Sequence, residues 1–287
     1  GGHGTFMALL VGMAFAANTS LAAVSFTGGA TPVAVLLTRT VTAVLILAWL
    51  LRARGVPWAL PPRQRYGSMA LGCLFATYAY CILAAIQYLP LGVVVATFYT
   101  FPIFIALIEW FSGQEPFSAR TAIALGIAFV GVLCALNVSA ETFGGIGLLL
   151  CLAGALSVAI VMVFSARVRN GGDSRPITLH MLLTALAIFA TVALTNDSVA
   201  LPHTPYAWFG FLGAPAFYTF GIIMLFVVNA EIGPVKAAMI MNIEPATSVA
   251  LGYLLLDQHL ALIQLAGIAI IIGTVLWMES RKYLGGA

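Results

Sequence analysis

The sequence predicts an all-α, polytopic membrane protein: ten transmembrane helices in two inverted five-helix repeats. Three observations predict it. Of 287 residues, 62% are hydrophobic and only 7% charged, with a mean hydropathy of +1.07, whereas a soluble domain carries roughly 25% charged residues. The apolar runs are about 20 residues long, the length a helix needs to cross a ~30 Å hydrocarbon core. The basic residues fall on alternate loops.

Charge this scarce leaves too little polar surface to solvate a globule of this size, so the expected solvent is a lipid bilayer. In lipid every backbone polar group must be satisfied within the protein, which leaves helices or closed barrels. Barrel strands run about 10 residues with period-two alternation, and the sequence lacks that pattern. The formal net charge of +3 comes from short loops and forms no binding stripe. No nucleic-acid partner is expected.

Runs bounded by Pro, Gly and charge give ten helices: 4–26, 32–51, 67–88, 91–111, 120–138, 144–165, 177–195, 206–229, 234–256 and 261–280. The connections are short, which predicts that consecutive spans pack on each other. Gly1-Gly2-His3 and Gly285-Gly286-Ala287 read as additions to the ends. The first run lacks a basic leader, so it is not read as a signal peptide. Cys73, Cys81, Cys134 and Cys151 lie inside apolar runs without CxxC spacing and read as packing residues.

The distribution of cations fixes an orientation. Arg52, Arg54, Arg63 and Arg65 follow span 2, and Arg120 follows span 4. Arg167, Arg169 and Arg175 follow span 6, Lys236 follows span 8, and Arg281 and Lys282 follow span 10. Eleven of the 12 basic residues thus share one side, predicting cytoplasmic termini in a cell inner membrane. Small residues fall where close helix approach needs them: Ala8, Gly12, Ala16 and Ser20 in span 1, Gly67, Ser68 and Gly72 in span 3, Gly126 and Gly131 in span 5, and Gly267 and Gly273 in span 10.

Two stretches resemble each other. Leu91 to Phe104 reaches Pro102 eleven residues after its start, and Pro234 to Thr247 likewise reaches Pro245. Each leads to a polar turn, Gln114-Glu115-Pro116 or Asp257-Gln258-His259, and a glycine-containing last span. The two prolines are 143 residues apart, close to half the chain. The predicted repeats are 1–140 and 141–287. Five spans is an odd number, so the second repeat would enter the membrane the other way up, an arrangement that places a binding site at the midplane between halves.

At this point the sequence resembles the EamA-type branch of the drug/metabolite transporter superfamily. The resemblance is strongest over Glu244-Pro245-Ala246-Thr247-Ser248 through Asp257-Gln258, and from Leu265 through Gly267 to Gly273. Asp257-Gln258 stands where the family turn is often Gly-Glu. The first half is similar more loosely, from Phe101-Pro102 to Gly131. The resemblance implies a ten-span secondary transporter that exports amino acids or related metabolites across the bacterial inner membrane by alternating access, without ATP hydrolysis or enzymatic chemistry. Within the family it is most similar to the amino-acid exporters, including the aromatic-amino-acid branch.

Several residues are candidates for transport. Glu244 lies ten residues into span 9, about 15 Å deep by helical rise in a ~30 Å core. An ionisable group there costs at least about 2.5 kcal/mol unless paired or hydrated. Its role is to bind a substrate ammonium or a coupling proton, or else to pair with Arg39. Arg39 lies about 10 Å inside span 2, where its guanidinium either forks onto a carboxylate or snorkels outward. Pro102 and Pro245 withhold a donor from the carbonyls of Phe98 and Met241, predicting paired kinks; Pro215 has no such counterpart. Tyr78, Tyr80, Tyr99, Asn242, Asn18 and Gln87 put polar groups within spans as cavity-lining candidates. Phe98, Phe101, Phe104 and Phe111 read as packing or lipid-facing residues.

No histidine pair has metal-ligand spacing, so neither metal nor cofactor is expected. There is no phosphate loop, His-Glu-x-x-His or Gly-x-Ser-x-Gly. The expected partners are a small-molecule substrate, the bilayer and, under one reading, a proton; the expected state is a monomer. A sugar-phosphate or nucleotide-sugar carrier and a channel are the competing classes. The first wants converging cations, and only Arg39 lies deep.

Overall fold

The computed structural model describes residues 2–85, 88–89, 91–114, 118–137, 145–196, 199–256 and 261–280. Gln87, Glu115, Pro116, Asp257, Gln258, His259, Arg281 and Lys282 lie outside the described residues. The first half holds α1 (Gly2–Thr27), α2 (Pro32–Ala53), α3 (Pro62–Ala85), α4 (Leu91–Phe98), α5 (Phe101–Phe111) and α6 (Ala119–Ala135). The second holds α7 (Gly145–Arg169), α8 (Ser174–Asn196), α9 (Pro205–Ile232), α10 (Pro234–Met241), α11 (Ile243–Leu256) and α12 (Leu262–Ser280). Each helix of the second half starts 142 or 143 residues after its counterpart in the first.

Local chemistry explains the starts. Thr31, Ser118 and Thr204 cap α2, α6 and α9, each accepting from the backbone three residues on. Prolines open α2, α3, α9 and α10, where the missing N–H is not needed. α3 begins five residues before the predicted span, so Arg63 and Arg65 lie on its first turns, not in a loop. Among the described residues, seven helical stretches are long and apolar enough to cross a membrane, and 119–135 and 262–277 are shorter apolar helices. In this count 93–111 and 234–255 each act as one stretch built from two half-helices.

The packing overturns the expectation that consecutive spans pair. α1 packs chiefly on α9, α3 on α7 and α8, α6 on α12, and α2 on α9 and α8, while α1 barely touches α2. The reason is visible at glycines. Gly210 of α9 meets the Leu21 carbonyl and the Ser25 nitrogen of α1 so closely that a Cβ has no room. Gly267 of α12 meets the backbone of Ala135 in the same way. Such close approach of backbones is how small residues hold membrane helices together, and here they join the two halves. Ala8, Gly12, Ala16 and Ser20 are all buried, as expected of a packing stripe. Gly126 and Gly273 are not packing positions, since a Cβ at either would meet nothing within 4 Å.

The helix ends sort onto two faces. On one, Lys236 Nζ donates to Thr5 Oγ1 at 2.8 Å, Gln64 Nε2 donates to the Arg169 carbonyl at 3.3 Å, and Arg120 reaches the Trp277 carbonyl. On the other, Thr31 and Ala200 exchange bonds of 3.1 and 3.0 Å, and the His203 nitrogen donates to the Gly28 carbonyl at 2.8 Å. The described cations at span ends lie on the first face.

Candidate functional site

The site is built around two chain breaks. α4 ends at Phe98 and α5 restarts at Phe101, leaving Tyr99 and Thr100 between them; α10 ends at Met241 and α11 restarts at Ile243, leaving Asn242. Pro102 is the second residue of α5 and Pro245 the third of α11, where a proline nitrogen donates to nothing. The predicted kinks are thus places where the helical ladder lapses for one or two residues while Thr100 and Asn242 keep right-handed helical angles. Pro215, by contrast, sits inside an unbroken α9.

Four aromatic rings line the first break. Tyr78 stacks on Phe98 at 5.4 Å between centroids, and Phe98 meets Tyr99 at 5.8 Å and Phe101 at 5.2 Å. Phe75 packs edge-on to Tyr78 at 5.3 Å. Phe98 and Phe101 thus join the tyrosine wall. Phe111 is 79% exposed, away from this wall.

Charge lies beside this wall. The Arg39 guanidinium sits over the Tyr218 ring, 4.5 Å from its centroid, an attraction of up to about 2 kcal/mol when desolvated. It also lies beside the Tyr78 hydroxyl. The Tyr99 hydroxyl faces the Glu244 carboxyl without closing a hydrogen bond. Glu244 and Arg39 sense each other electrostatically, yet no ion pair within 4 Å joins them. Glu244 and Arg39 are both partly accessible, so they border space and not only packed side chains.

Buried polar atoms without partners recur on the surrounding helices: Asn18 Oδ1 on α1, Arg39 Nε on α2, Thr97 Oγ1 on α4, Tyr99 Oη at the break and Thr219 Oγ1 on α9. Buried polar groups are normally paired. Arg169 Nε on α7 and Asn229 Oδ1 on α9 are further such atoms, so the orphans are not confined to the breaks; of them, Tyr99 and Arg39 are the two that border Glu244. Asn242 is buried at 2% exposure and bonds locally, donating from Nδ2 to the Met239 carbonyl at 3.1 Å.

The EamA-like transporter family matches residues 2–137 and again 145–279. The chain belongs to this family. It is similar to the uncharacterized transporter sll1319 of Synechocystis sp., at 24% identity over 223 residues, 74% of this chain and 67% of that protein. A solved crystal structure described only as that of a protein superposes with TM-score 0.76 over 96% of both chains, at 19% identity. That likeness speaks to the fold alone.

For an EamA-like transporter, the structure thus brings Arg39, Tyr78, Tyr99 and Glu244 to one place, with Pro102, Pro245 and Asn242 shaping the backbone there. It does not bring Tyr80. That residue is 62% exposed and lies on the outward stripe of α3 with Tyr66, Met69, Cys73 and Thr77. Two residues along a helix is about 200° of rotation, so Tyr78 and Tyr80 cannot both face the cluster. Tyr218 is the member absent from the sequence reading. Its one signal is a polar ring within a turn of Pro215, next to Thr219. Among the described residues no cluster of His, Cys, Asp or Glu could hold a metal ion.

Proposed function

We propose that this transporter carries amino acids, exporting them across the bacterial inner membrane by alternating access between two inverted five-helix repeats, with both termini in the cytoplasm. The carrying observation is the pair Glu244 and Arg39: opposite charges, neither in an ion pair, flanking a wall of tyrosine and phenylalanine. A carboxylate binds an ammonium, and a guanidinium forks onto a carboxylate. The rings between them suit an apolar or aromatic side chain. A lone deep cation speaks against a phosphorylated solute, which wants at least two.

The inverted repeat draws support from the pairings. Exchanging each helix for its counterpart turns α1 on α9 into α7 on α3, and α2 on α9 into α8 on α3, while α6 on α12 maps to itself. That is the signature expected of two halves related by a two-fold axis. The sidedness of the cations supports cytoplasmic termini.

Counterflow in proteoliposomes tests the substrate. A panel of twenty labelled amino acids is offered beside their N-acetylated and decarboxylated analogues. Exchange is expected for free amino acids with apolar or aromatic side chains and for neither analogue. Arg39→Ala is expected to lose carboxylate-bearing substrates by about tenfold. Equal exchange of the N-acetylated forms, or no exchange across the whole panel, would end this reading.

A further inference from the structure

The cation of the site is steered by a ring that the solute need not touch. α2 packs on α9, and Arg39 crosses from one to the other, its guanidinium carbon 4.5 Å from the centre of the Tyr218 ring. Tyr218 is only 3% exposed, so the ring is enclosed by protein. Its neighbours fix it. Phe15 of α1 meets it edge-on at 6.3 Å between centroids. Its hydroxyl lies beside Thr40, the residue after Arg39 on α2. Thr40 is fully buried, and its own proton goes to the Leu36 carbonyl at 2.7 Å. A ring held at its edge and at its hydroxyl offers the cation one fixed face.

What that face leaves unused matters as much. A ring attracts a guanidinium through its quadrupole and has no lone pair in its face to engage the N–H groups, of which the guanidinium has five. The Tyr78 hydroxyl lies beside the group, Nε is sealed without a partner, and Arg39 stays partly accessible. A carboxylate in place of Tyr218 would hold the arginine too, as Glu109 holds Arg167. It would also fill the fork that a solute carboxylate needs. By the offsets of the helix starts, Arg39 corresponds to Met181 of α8 and Tyr218 to Phe75 of α3, both buried. Cation and phenol are missing there together, which ties the phenol to the cation and not to the shared fold.

We propose that Tyr218 is a positioning residue: it keeps the Arg39 guanidinium presented to the carboxylate of the solute without touching the solute itself. This rests on the amino-acid reading above, in which Arg39 takes that carboxylate.

Two measurements test it. The first is counterflow of labelled phenylalanine in proteoliposomes, read as KM and maximal rate. Tyr218→Leu should raise KM about tenfold and leave the maximal rate within about twofold. Tyr218→Met, unbranched and adaptable, gives the same reading if the leucine variant does not fold. Tyr218→Phe keeps the ring and should bring KM back to within about threefold of the parent. In an Arg39→Ala background Tyr218→Leu should add nothing to KM, because the group it steers is gone. Effects of the two substitutions that multiply, or a loss confined to the maximal rate, would overturn the proposal. The second measurement needs no solute. In the full chain labelled with isotopic arginine, in detergent, the Arg39 Nε–H signal is assigned by its loss in Arg39→Lys. It should lie upfield, as a proton near a ring face does, and return downfield in Tyr218→Leu but not in Tyr218→Phe. A signal unmoved by Tyr218→Leu would overturn the steering whatever the substrate. If the signal moves as expected while the parent exchanges no phenylalanine, the amino-acid reading fails and the solute's carboxylate goes with it; the hold of Tyr218 on Arg39 does not.

Discussion

Two stretches of this molecule are interrupted near a proline, and each carries one acid. In α4–α5 the acid is Glu109, near the end of the second half-helix. In α10–α11 it is Glu244, at the break itself. Glu109 is buried and accepts from Arg167 Nη2 at 3.3 Å; the same nitrogen donates to Ser112 Oγ at 2.7 Å. Glu244 has no ion pair, faces a phenol that does not bond it, and remains partly accessible. In register, Glu244 stands where the first half has Phe101. The backbone device is duplicated and the charge is not. Glu109 is held by Arg167 between α5 and α7; Glu244 has no such partner, and the role proposed for it rests on that difference.

The largest effect should come from abolishing that difference. Glu244→Gln is expected to lower amino-acid counterflow about tenfold to a hundredfold, the worth of one charge-assisted contact. Its thermal unfolding should move little, because an amide in that place costs less than an unpaired carboxylate. Phe101→Leu, at the matching position, should change transport by no more than a few fold. Parent-like counterflow in Glu244→Gln would mean that the two acids are alike after all.

Glu109→Gln should show the opposite pattern. Removing one partner of a buried ion pair costs 3–5 kcal/mol. The Arg167 side chain is 34% exposed, so water takes up part of the loss and about 1–2 kcal/mol is expected. The readout is earlier thermal unfolding in detergent, with counterflow per folded molecule unchanged. A transport defect without a stability defect would make Arg167–Glu109 part of the moving parts.

What was legible in the sequence divides along physical lines. Hydrophobic length and helix-start chemistry are local, so α1, α2 and α7 to α9 fall close to their predicted ranges. The two interruptions were legible because Pro102 and Pro245 recur in register. Glu244 and Arg39 stand out in the sequence because charge in lipid is costly, and the structure brings both beside Tyr78. Rotation about a helix axis was not legible. Tyr78 and Tyr80 look equivalent as letters, and only packing against α7 and α8 puts one inside and one out. Nor was the partnering of helices: α1 with α9 rests on Gly210 meeting Leu21, a contact between residues 189 apart. Tyr218 escaped for the same reason, since its importance lies in Arg39 crossing from α2.

The prolines offer a subtler comparison. Pro102→Ala and Pro245→Ala each restore a donor and allow the helix to run on. Each should slow counterflow several-fold and leave thermal stability near the parent value, since a proline in the first turn of a helix gives up no needed hydrogen bond. Pro215→Ala should be near neutral for transport, because α9 is unbroken there. If only one of the two break prolines matters, the halves do not move alike.

The smallest effect belongs to an acid outside both stretches. Asp173, at the start of α8, accepts from the Arg175 backbone at 2.9 Å and from its guanidinium, which holds its carboxyl below the usual carboxylate range. A depressed folded value means the pair stabilises above pH about 4 and loses that contribution as pH falls through the folded value. Both side chains are 32% exposed, so the contribution is a few tenths of a kcal/mol. Asp173→Asn should therefore shift thermal unfolding at pH 7 by a degree or so at most and leave counterflow between pH 5 and 8 on the parent curve. That makes it the control for Glu244→Gln. If both variants altered transport over that pH range, the cause would be surface charge, and the claim that an acid must stand at a helix break to act on the solute would fail.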